Sequence, residues 1–553
     1  MKQPVHGQTA AAAVGGGAST SAWRLRSLVM ICGAVLMSLE IIGSRIISPY
    51  FGNSIYVWGS LISIFLGALS LGYYVGGRVA DKRPSLRLLG LFIAVAGITM
   101  LTLRYISPWV CTTVWETHLG PKFGTLIACV ILFFIPSVLL GIVSPFSVRL
   151  AALTVSGVGK TAGMLYALST LGSIFGTLIT SFVLIDTMGT NTVVLWLGIV
   201  LIATAIVAAD LVPRPGKVSA PVVVSIVMVP ASIYFPPSQH IGIIGKGEVI
   251  KYETDSPYQH ILVSEGTRNG RLRRNLQFDR YIESAIYVPQ EGEPDDSIQA
   301  ATGYTDLMHL PLVFNPELKS MLQIGGGGGT VPREYYYHYG FRNSKPVEDF
   351  FVQIVEIDPK VVEVAQQWFH LTPNDRLKVT VEDGRMFLKL TQQKYDVILV
   401  DAFTGGGQIP FHLTTKEFFT EVKAHLSPNG VLAMNVINAL DGRDGRLYRS
   451  VLRTWREVGF GQIYVFPKCE TFEDQILYNM KRNIILVATM STERLGKWDI
   501  KDAATGLFMD GKVRVKDFVQ HAGRYLPGEE TRDLNDVPVL TDNYAPVELM
   551  AAE

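Results

Sequence analysis

The chain has 553 residues, with 49 Lys and Arg against 48 Asp and Glu, a formal net charge of +1, and 48% hydrophobic residues. That balance leaves no global basic field and speaks against a nucleic-acid partner, while the length admits two or more domains. Cys32, Cys111, Cys129 and Cys469 are too far apart for a disulfide framework or a zinc site, so they read as plain thiols and no metal is expected.

Residues 1–24 are rich in Ala, Gly, Ser and Thr without an apolar core and read as a disordered tail. The first apolar run is long enough to remain in a bilayer, so it reads as an uncleaved first helix and not as a signal peptide. From 25 to 235 the chain reads as a helical transmembrane domain. Spanning takes about 20 mostly apolar residues, and the runs 26–48, 56–79, 86–106, 123–148, 161–186 and 191–212 meet that need. A seventh run, 219–235, is shorter and carries Pro221 and Pro230.

Positive charge orients such chains. Arg24, Arg26, Arg78, Lys82, Arg83, Arg87, Arg149, Lys160, Arg214 and Lys217 fall on one set of flanks, with little beyond Arg104 and Lys122 on the other. This predicts a multi-pass protein of the inner (plasma) membrane, with the lipid bilayer as a partner and the N-terminus in the cytoplasm. Six spans keep the rest of the chain cytoplasmic and seven would export it. The cytoplasmic side is preferred because the nucleotide argued for below is made there, which leaves 219–235 re-entrant or interfacial. Glu40 and Arg45 lie in the first run, where ionisable groups are costly and point to function or to helix pairing. The stretch GGRVADKRP is similar to a loop of major facilitator transporters.

From 246 the composition becomes that of an ordinary globular chain. Residues 246–315 read as a small β-rich subdomain, and 316–553 as an α/β domain. There SMLQIG, FFVQIVEID, RLKVTVEDG, YDVILVDAF and GVLAMNVI alternate with the helical PKVVEVAQQWFH and TKEFFTEVKAHL. Strands alternating with helices predict a parallel sheet with ligands at its carboxyl edge. Five glycines, Gly325 to Gly329, close the first strand and allow a ligand to approach the backbone. Glu356 ends the next strand, where a carboxylate can accept both ribose hydroxyls. Asp383 and Gly384 follow the third, suited to an adenine amine, and Asp401 ends the fourth, facing the reacting centre. Four such features in this order point to an adenosyl nucleoside.

The order resembles the spermidine synthase family, aminopropyltransferases with a methyltransferase-like, Rossmann-type fold. The likeness extends upstream to SPYQHILV at 256–263, LQFDRYIES at 276–284 and HLPL at 309–312. With the multi-span region, GGGGGTVPR and DAF…IPFHLTT, it resembles the fused membrane members of that family. The resemblance implies a transferase of polyamine biosynthesis whose co-substrate is decarboxylated S-adenosylmethionine or S-adenosylmethionine. Gln259 and the loop glycines Gly325, Gly327 and Gly329 would touch it, Glu356 its ribose, and Asp383 with Gly384 its adenine. Asp401 would deprotonate a polyamine or other small amine. A homodimer is also compatible with the family, though no stretch specifies an interface.

The chain departs from the family pattern. An Asp of the family's glycine loop falls on Gly328, a second acid on Thr404, and the Gln of its Leu-Asp-Gly-x-x-Gln turn on Glu283. Aligned on His309, the gate Tyr and Glu fall on Gly303 and Thr305, and a one-residue shift restores Tyr304 and Asp306. FPKCETFED stands where the family has Tyr-Pro-Ser-Gly. Leaving a buried ammonium unpaired costs several kcal/mol, so Glu283, Asp279 and Asp306 are the acids that would compensate, and with Tyr304 they are the substrate-side candidates. Two other readings stay open: a methyltransferase using S-adenosylmethionine, and a transporter or sensor that binds a nucleoside or polyamine without turnover.

Overall fold

A computed structural model describes residues 17–551 apart from 53, 118, 152–157, 209–219, 236–243, 294–295, 343, 405–406, 470–476 and 530. The chain forms two compact units, one of Met1–Ile47 with Ile55–Gln239 and one of Ser48–Ser54 with His240–Glu553.

The first unit is helical: α1 (Gly17–Phe51), α2 (Ile55–Lys82), α3 (Leu86–Glu116), α4 (Gly120–Gly141), α5 (Val143–Ala151), α6 (Val158–Ile179), α7 (Ile185–Thr187), α8 (Thr190–Ala208) and α9 (Ala220–Tyr234). Of the tail expected over 1–24, residues 1–16 lie outside the described residues. The rest forms the first turns of α1, since nothing after Gly17 interrupts the helix before the apolar run. Six helical segments among the described residues are long and apolar enough to cross a membrane: Trp23–Phe51, Ile55–Lys82, Leu86–Glu116, Lys122–Ala151, Val158–Leu184 and Thr190–Val207. Glycine lets two of them meet closely. A Cβ on Gly172 or Gly176 would lie 2.0 Å or 2.1 Å from the carbonyl oxygens of Met30 and Ala34 in α1. The seventh apolar run is the 15-residue α9, about 22 Å long against a hydrocarbon core of about 30 Å. It is tied to α3, where Arg104 Nη1 donates to the Ser232 carbonyl at 2.9 Å and Tyr105 Oη to that of Phe235 at 2.9 Å.

The second unit opens with an antiparallel meander of β1 (Val249–Asp255), β2 (His260–Arg268), β3 (Arg271–Phe278) and β4 (Tyr281–Tyr287). Its alternating apolar residues Ile261, Val263, Leu276, Phe278 and Ile286 are buried on Val361, Val364 and Phe369, along the helix α12 introduced below. A 3₁₀ turn (Thr305–His309) and α10 (Pro311–Phe314) lead to the main sheet.

That sheet contains β5 (Ser320–Ile324), β8 (Phe351–Glu356), β9 (Leu377–Val381), β10 (Tyr395–Val400), β11 (Leu426–Asn438), β12 (Gln462–Pro467) and β13 (Arg482–Thr489), with a small separate hairpin of β6 (Phe341–Arg342) and β7 (Lys345–Pro346). Its order is β12-β13-β11-β10-β5-β8-β9. The five strands from β11 to β9 are parallel, as the alternating pattern predicts. β13 runs antiparallel to both β11 and β12, so the sheet is mixed. α11 (Thr330–Tyr339), α12 (Pro359–Trp368), α13 (Gly384–Leu390), α14 (Lys416–Ala424) and α15 (Arg446–Val458) cover it. Successive strand residues point to opposite faces. Leu322, Ile324, Ile398 and Val400 therefore pack on Phe418, Phe419, Tyr448 and Trp455, while Met321, Val397 and Leu399 pack on Leu310 and Tyr335. Burial of both faces explains the nearly continuous apolar runs of these strands and leaves their carboxyl edge as the place for polar chemistry.

Candidate active site

Backbone pairing brings three strand ends together. The Gly325 N–H donates to the Val355 carbonyl at 2.9 Å, and the Asp401 N–H to that of Ile324 at 2.9 Å. The glycine loop turns between them, with Gly325, Gly327 and Gly329 at φ of 89°, 49° and 67°. A Cβ on Gly325 would fall 2.4 Å from the Asp401 carbonyl oxygen, so only glycine permits this approach. The loop is held by Glu356, whose Oε2 accepts from the N–H groups of Gly326 (2.8 Å) and Gly327 (3.3 Å) while Oε1 accepts from Asp358 N–H at 3.0 Å. Burial raises the Glu356 pKa and these three backbone donors oppose the rise.

Gly328 is not in the left-handed region. Its side is closed instead by β4: its N–H donates to Ser284 Oγ at 2.9 Å, and a Cβ would lie 2.8 Å from Ser284 Cβ and 3.2 Å from Phe369 Cδ1. An acid at this position has no room while Ser284 is present.

Asp383 is the N-cap of α13. Its Oδ1 accepts from the N–H groups of Arg385 (3.0 Å) and Met386 (2.9 Å), and its Oδ2 lies 3.0 Å from His412 Nε2. The His412 contact lowers its pKa, with burial opposing and the two backbone donors assisting. Gly384 is buried behind it, where a Cβ would strike Ile324 at 2.3 Å. Gln259 lies in the β1–β2 turn, buried, with its backbone N–H on Ser256 Oγ at 3.1 Å. Ser256 Oγ in turn donates to Asp358 Oδ2 at 2.5 Å, which joins the meander to the start of α12.

Asp401 ends β10 in a polar relay. Asn483 Nδ2 donates to Asn435 Oδ1 at 3.1 Å, Asn435 Nδ2 to Asp401 Oδ1 at 3.0 Å, and Tyr304 Oη to Asp401 Oδ2 at 3.2 Å. Tyr304 Oη also lies 3.3 Å from the Glu283 carbonyl. Burial raises Asp401 to about 6, held back by the Asn435 and Tyr304 hydrogen bonds. Glu283 rises further, to about 8, through burial and then the charges of Asp401, Asp279 and Glu356. Asp279, buried in the β3–β4 turn at φ 51°, accepts the His260 N–H at 3.0 Å. Four carboxylates and the Tyr304 hydroxyl thus converge, and no described residue donates a hydrogen bond to the Glu283 carboxylate.

Asp306 is elsewhere: its Oδ2 lies 3.7 Å from His521 Nε2. Thr404 closes its own loop, its N–H and Oγ1 both on the Gln408 carbonyl at 2.8 Å and 3.1 Å. Gly303 backs onto Lys468, and FPKCETFED is described only through Cys469. Among the described residues no group of three or more His, Cys, Asp or Glu could hold a metal, and the four cysteines are free and buried.

Sequence reasoning missed Asn435, Asn483, Ser284 and His412. Asn435 and Asn483 had a signal, each being an amide set in or against an apolar strand run, VLAMNVI and NIILVA. Ser284 and His412 had none.

Residues 302–466 match the family model for the spermine/spermidine synthase domain. The polyamine aminopropyltransferase of Vibrio vulnificus is 33% identical over 240 residues, 43% of this chain and 73% of that one. A probable polyamine aminopropyl transferase of Bifidobacterium longum is 31% identical over 194 residues, 35% of this chain and 39% of that one. Among solved structures, spermidine synthase from Thermotoga maritima aligns with a TM-score of 0.37 at 20% identity, covering 51% of this chain and 87% of that one. At 33% identity over 73% of the Vibrio relative, the chain is a transferase and a member of the polyamine aminopropyltransferase family.

Proposed function

We propose that the protein transfers the aminopropyl group of decarboxylated S-adenosylmethionine to an amine, with Asp401 as the base. The observation that carries this reading is the Asp401 carboxylate, held from both sides by Asn435 and Tyr304 at the end of β10 beside the glycine loop. The amine nitrogen forms a bond to the carbon next to the sulfonium, the carbon–sulfur bond breaks, and the electron pair leaves with neutral methylthioadenosine. The attacking nitrogen must be neutral, so its proton passes to Asp401 Oδ. A base with pKa near 6 is ionised at neutral pH yet basic enough to share the proton in the transition state. The glycine loop, Glu356, Asp383 with Gly384, and Gln259 form the donor side. Asp279, Glu283 and Tyr304 form the acceptor side, with Asp306 outside that cluster.

Ser284 packed on Gly328 supports a second reading, because it excludes an acid at that position of the glycine loop: S-adenosylmethionine itself as donor and methyl transfer as the reaction. Purified protein incubated with each donor and a panel of amines, followed by mass spectrometry, decides between them. Aminopropylated amine with methylthioadenosine is expected; methylated amine would replace the proposal with the second reading.

We further propose that the domains follow the sequence boundaries, with 25–235 in the inner (plasma) membrane and the transferase domain in the cytoplasm. The six long apolar helices and the short α9 support this. A reporter fused after Glu553 should be active only in its cytoplasmic form; activity confined to the periplasmic form would overturn it.

A further inference from the structure

One buried carboxylate in α11 answers two groups from an earlier part of the chain. Glu334 Oε1 accepts the Ala300 N–H at 2.8 Å, and Glu334 Oε2 lies 3.0 Å from His309 Nε2. Both side chains of the second contact are closed to solvent, His309 at 0% and Glu334 at 2% exposure. The other ring nitrogen of His309 lies 2.8 Å from Tyr339 Oη, and the ring stacks on Tyr335 at 4.8 Å. Neighbours in α11 repeat the pattern: Arg333 Nη2 donates to the carbonyls of Ser297 (2.5 Å) and Ile298 (3.0 Å), and Tyr335 Oη to that of Met308 at 2.9 Å. A buried acid is costly unless it is hydrogen-bonded, and here the bonds that satisfy it also fasten both ends of residues 300–309. Between those ends stands Tyr304, whose hydroxyl holds Asp401 Oδ2 at 3.2 Å. α11 itself begins at the glycine loop, with the Arg333 N–H on the Gly329 carbonyl at 3.1 Å. The helix that continues the donor loop thus also fixes the phenol on the proposed base.

We propose that Glu334 is a positioning residue for the transfer: it fastens the 300–309 segment to α11 so that the Tyr304 hydroxyl stays on Asp401. This rests on the aminopropyl-transfer reading, in which ionised Asp401 takes the proton. Asp401 is faced by Tyr304, by Asn435 from β11 and by Glu283 from β4. A hydrogen bond to the ionised form of an acid favours that form, so the Tyr304 bond lowers the pH at which Asp401 becomes competent. Releasing Tyr304 removes that help and leaves Asn435 and Glu283 in place. The acid limb of the rate profile then moves to higher pH, a change that a loss of packing alone does not produce.

The test measures kcat against pH for the full-length protein with the amine it turns over best, and methylthioadenosine affinity by calorimetry. Glu334→Ala should lower turnover at pH 5 by about three- to tenfold, regain it by pH 9 and leave methylthioadenosine affinity within about twofold. Glu334→Gln should behave as wild type: its amide oxygen accepts the Ala300 N–H, its nitrogen donates to His309 Nε2, and the imidazole carries its proton on Nδ1 towards Tyr339. Tyr304→Phe should move the acid limb as far as Glu334→Ala does, and the two together no further. An unmoved limb in Glu334→Ala, or shifts that add in the double variant, would overturn the assignment while leaving aminopropyl transfer intact. A wild type that makes no aminopropylated product would overturn both. If Glu334→Ala does not fold, His309→Phe decides: it keeps a ring on Tyr335, frees one end of the segment and must move the limb in the same direction, and an unmoved limb there overturns the assignment.

Discussion

The proposed donor and acceptor halves of the site treat negative charge in opposite ways. On the donor side each acid is already engaged by the chain's own backbone, Glu356 by the glycine loop and Asp358, and Asp383 by the first turn of α13. On the acceptor side Asp401 and Glu283 are pushed up by burial, Glu283 also by its acidic neighbours, with one amide and one phenol as the principal donors. Backbone donors cost nothing to reorganise and serve folding as well as binding. A cluster left short of donors stores a cost that only a cation relieves. The difference shows why acids that look alike in the sequence should respond differently to mutation.

Breaking the acceptor half should have the largest effect on rate. Asp401→Asn removes the proposed proton acceptor and should lower turnover by about 10²–10⁴-fold, with methylthioadenosine affinity little changed in calorimetry. An equal loss of affinity and turnover would mean that Asp401 serves the donor half as well.

The boundary between the halves is Gly328 against Ser284. Gly328→Asp forces two side chains into one space and should destabilise by about 1–3 kcal/mol, the usual cost of overpacking. Adding Ser284→Gly removes the 2.8 Å conflict and should restore most of that loss in chemical denaturation. It should also improve use of decarboxylated S-adenosylmethionine over S-adenosylmethionine. If the single variant were as stable as wild type, the loop would be softer than its packing implies.

In the donor half, binding and folding should separate by choice of substitution. Asp383→Ala removes a helix cap and should cost about 0.5–2 kcal/mol of stability in addition to nucleoside affinity. Asp383→Asn keeps an oxygen for the Arg385 and Met386 N–H groups and should lose affinity with a smaller change in melting temperature.

The smallest effect is the pH dependence of the ligand-free protein. Asp401 and Glu283 hold their protons more tightly when folded than their ordinary values of 3.8 and 4.5. The stability they contribute is therefore complete below those values and is lost as pH rises through about 6 for Asp401 and about 8 for Glu283. Melting temperature should fall from pH 5 to pH 8, and Glu283→Gln should flatten the upper part of that fall. A melting temperature that rises over this range would mean that other groups outweigh the acidic cluster.

Pattern and spacing alone determined much of this protein. Long uncharged runs can be satisfied only as long apolar helices, and apolar strands alternating with amphipathic helices imply a sheet covered on both faces. Those rules place Gly325 to Gly329, Glu356, Asp383 and Asp401 at one edge, because each directly follows its own strand. The antiparallel β12 and β13 and the helical start of α1 were not legible, since strand direction and tail order depend on packing between distant segments. The acceptor half was decided by tertiary structure. Asn435 reaches Asp401 only because β11 lies beside β10, Asn483 reaches Asn435 only because β13 lies beside β11, and Ser284 excludes an acid at Gly328 only because β4 folds over the glycine loop. Tyr304 and Asp306 are two residues apart in one segment, yet one meets Asp401 and the other His521. A side chain's charge state and partners depend on what lies within a few ångströms of it, and for groups brought together from separate strands that distance exists only in the folded chain.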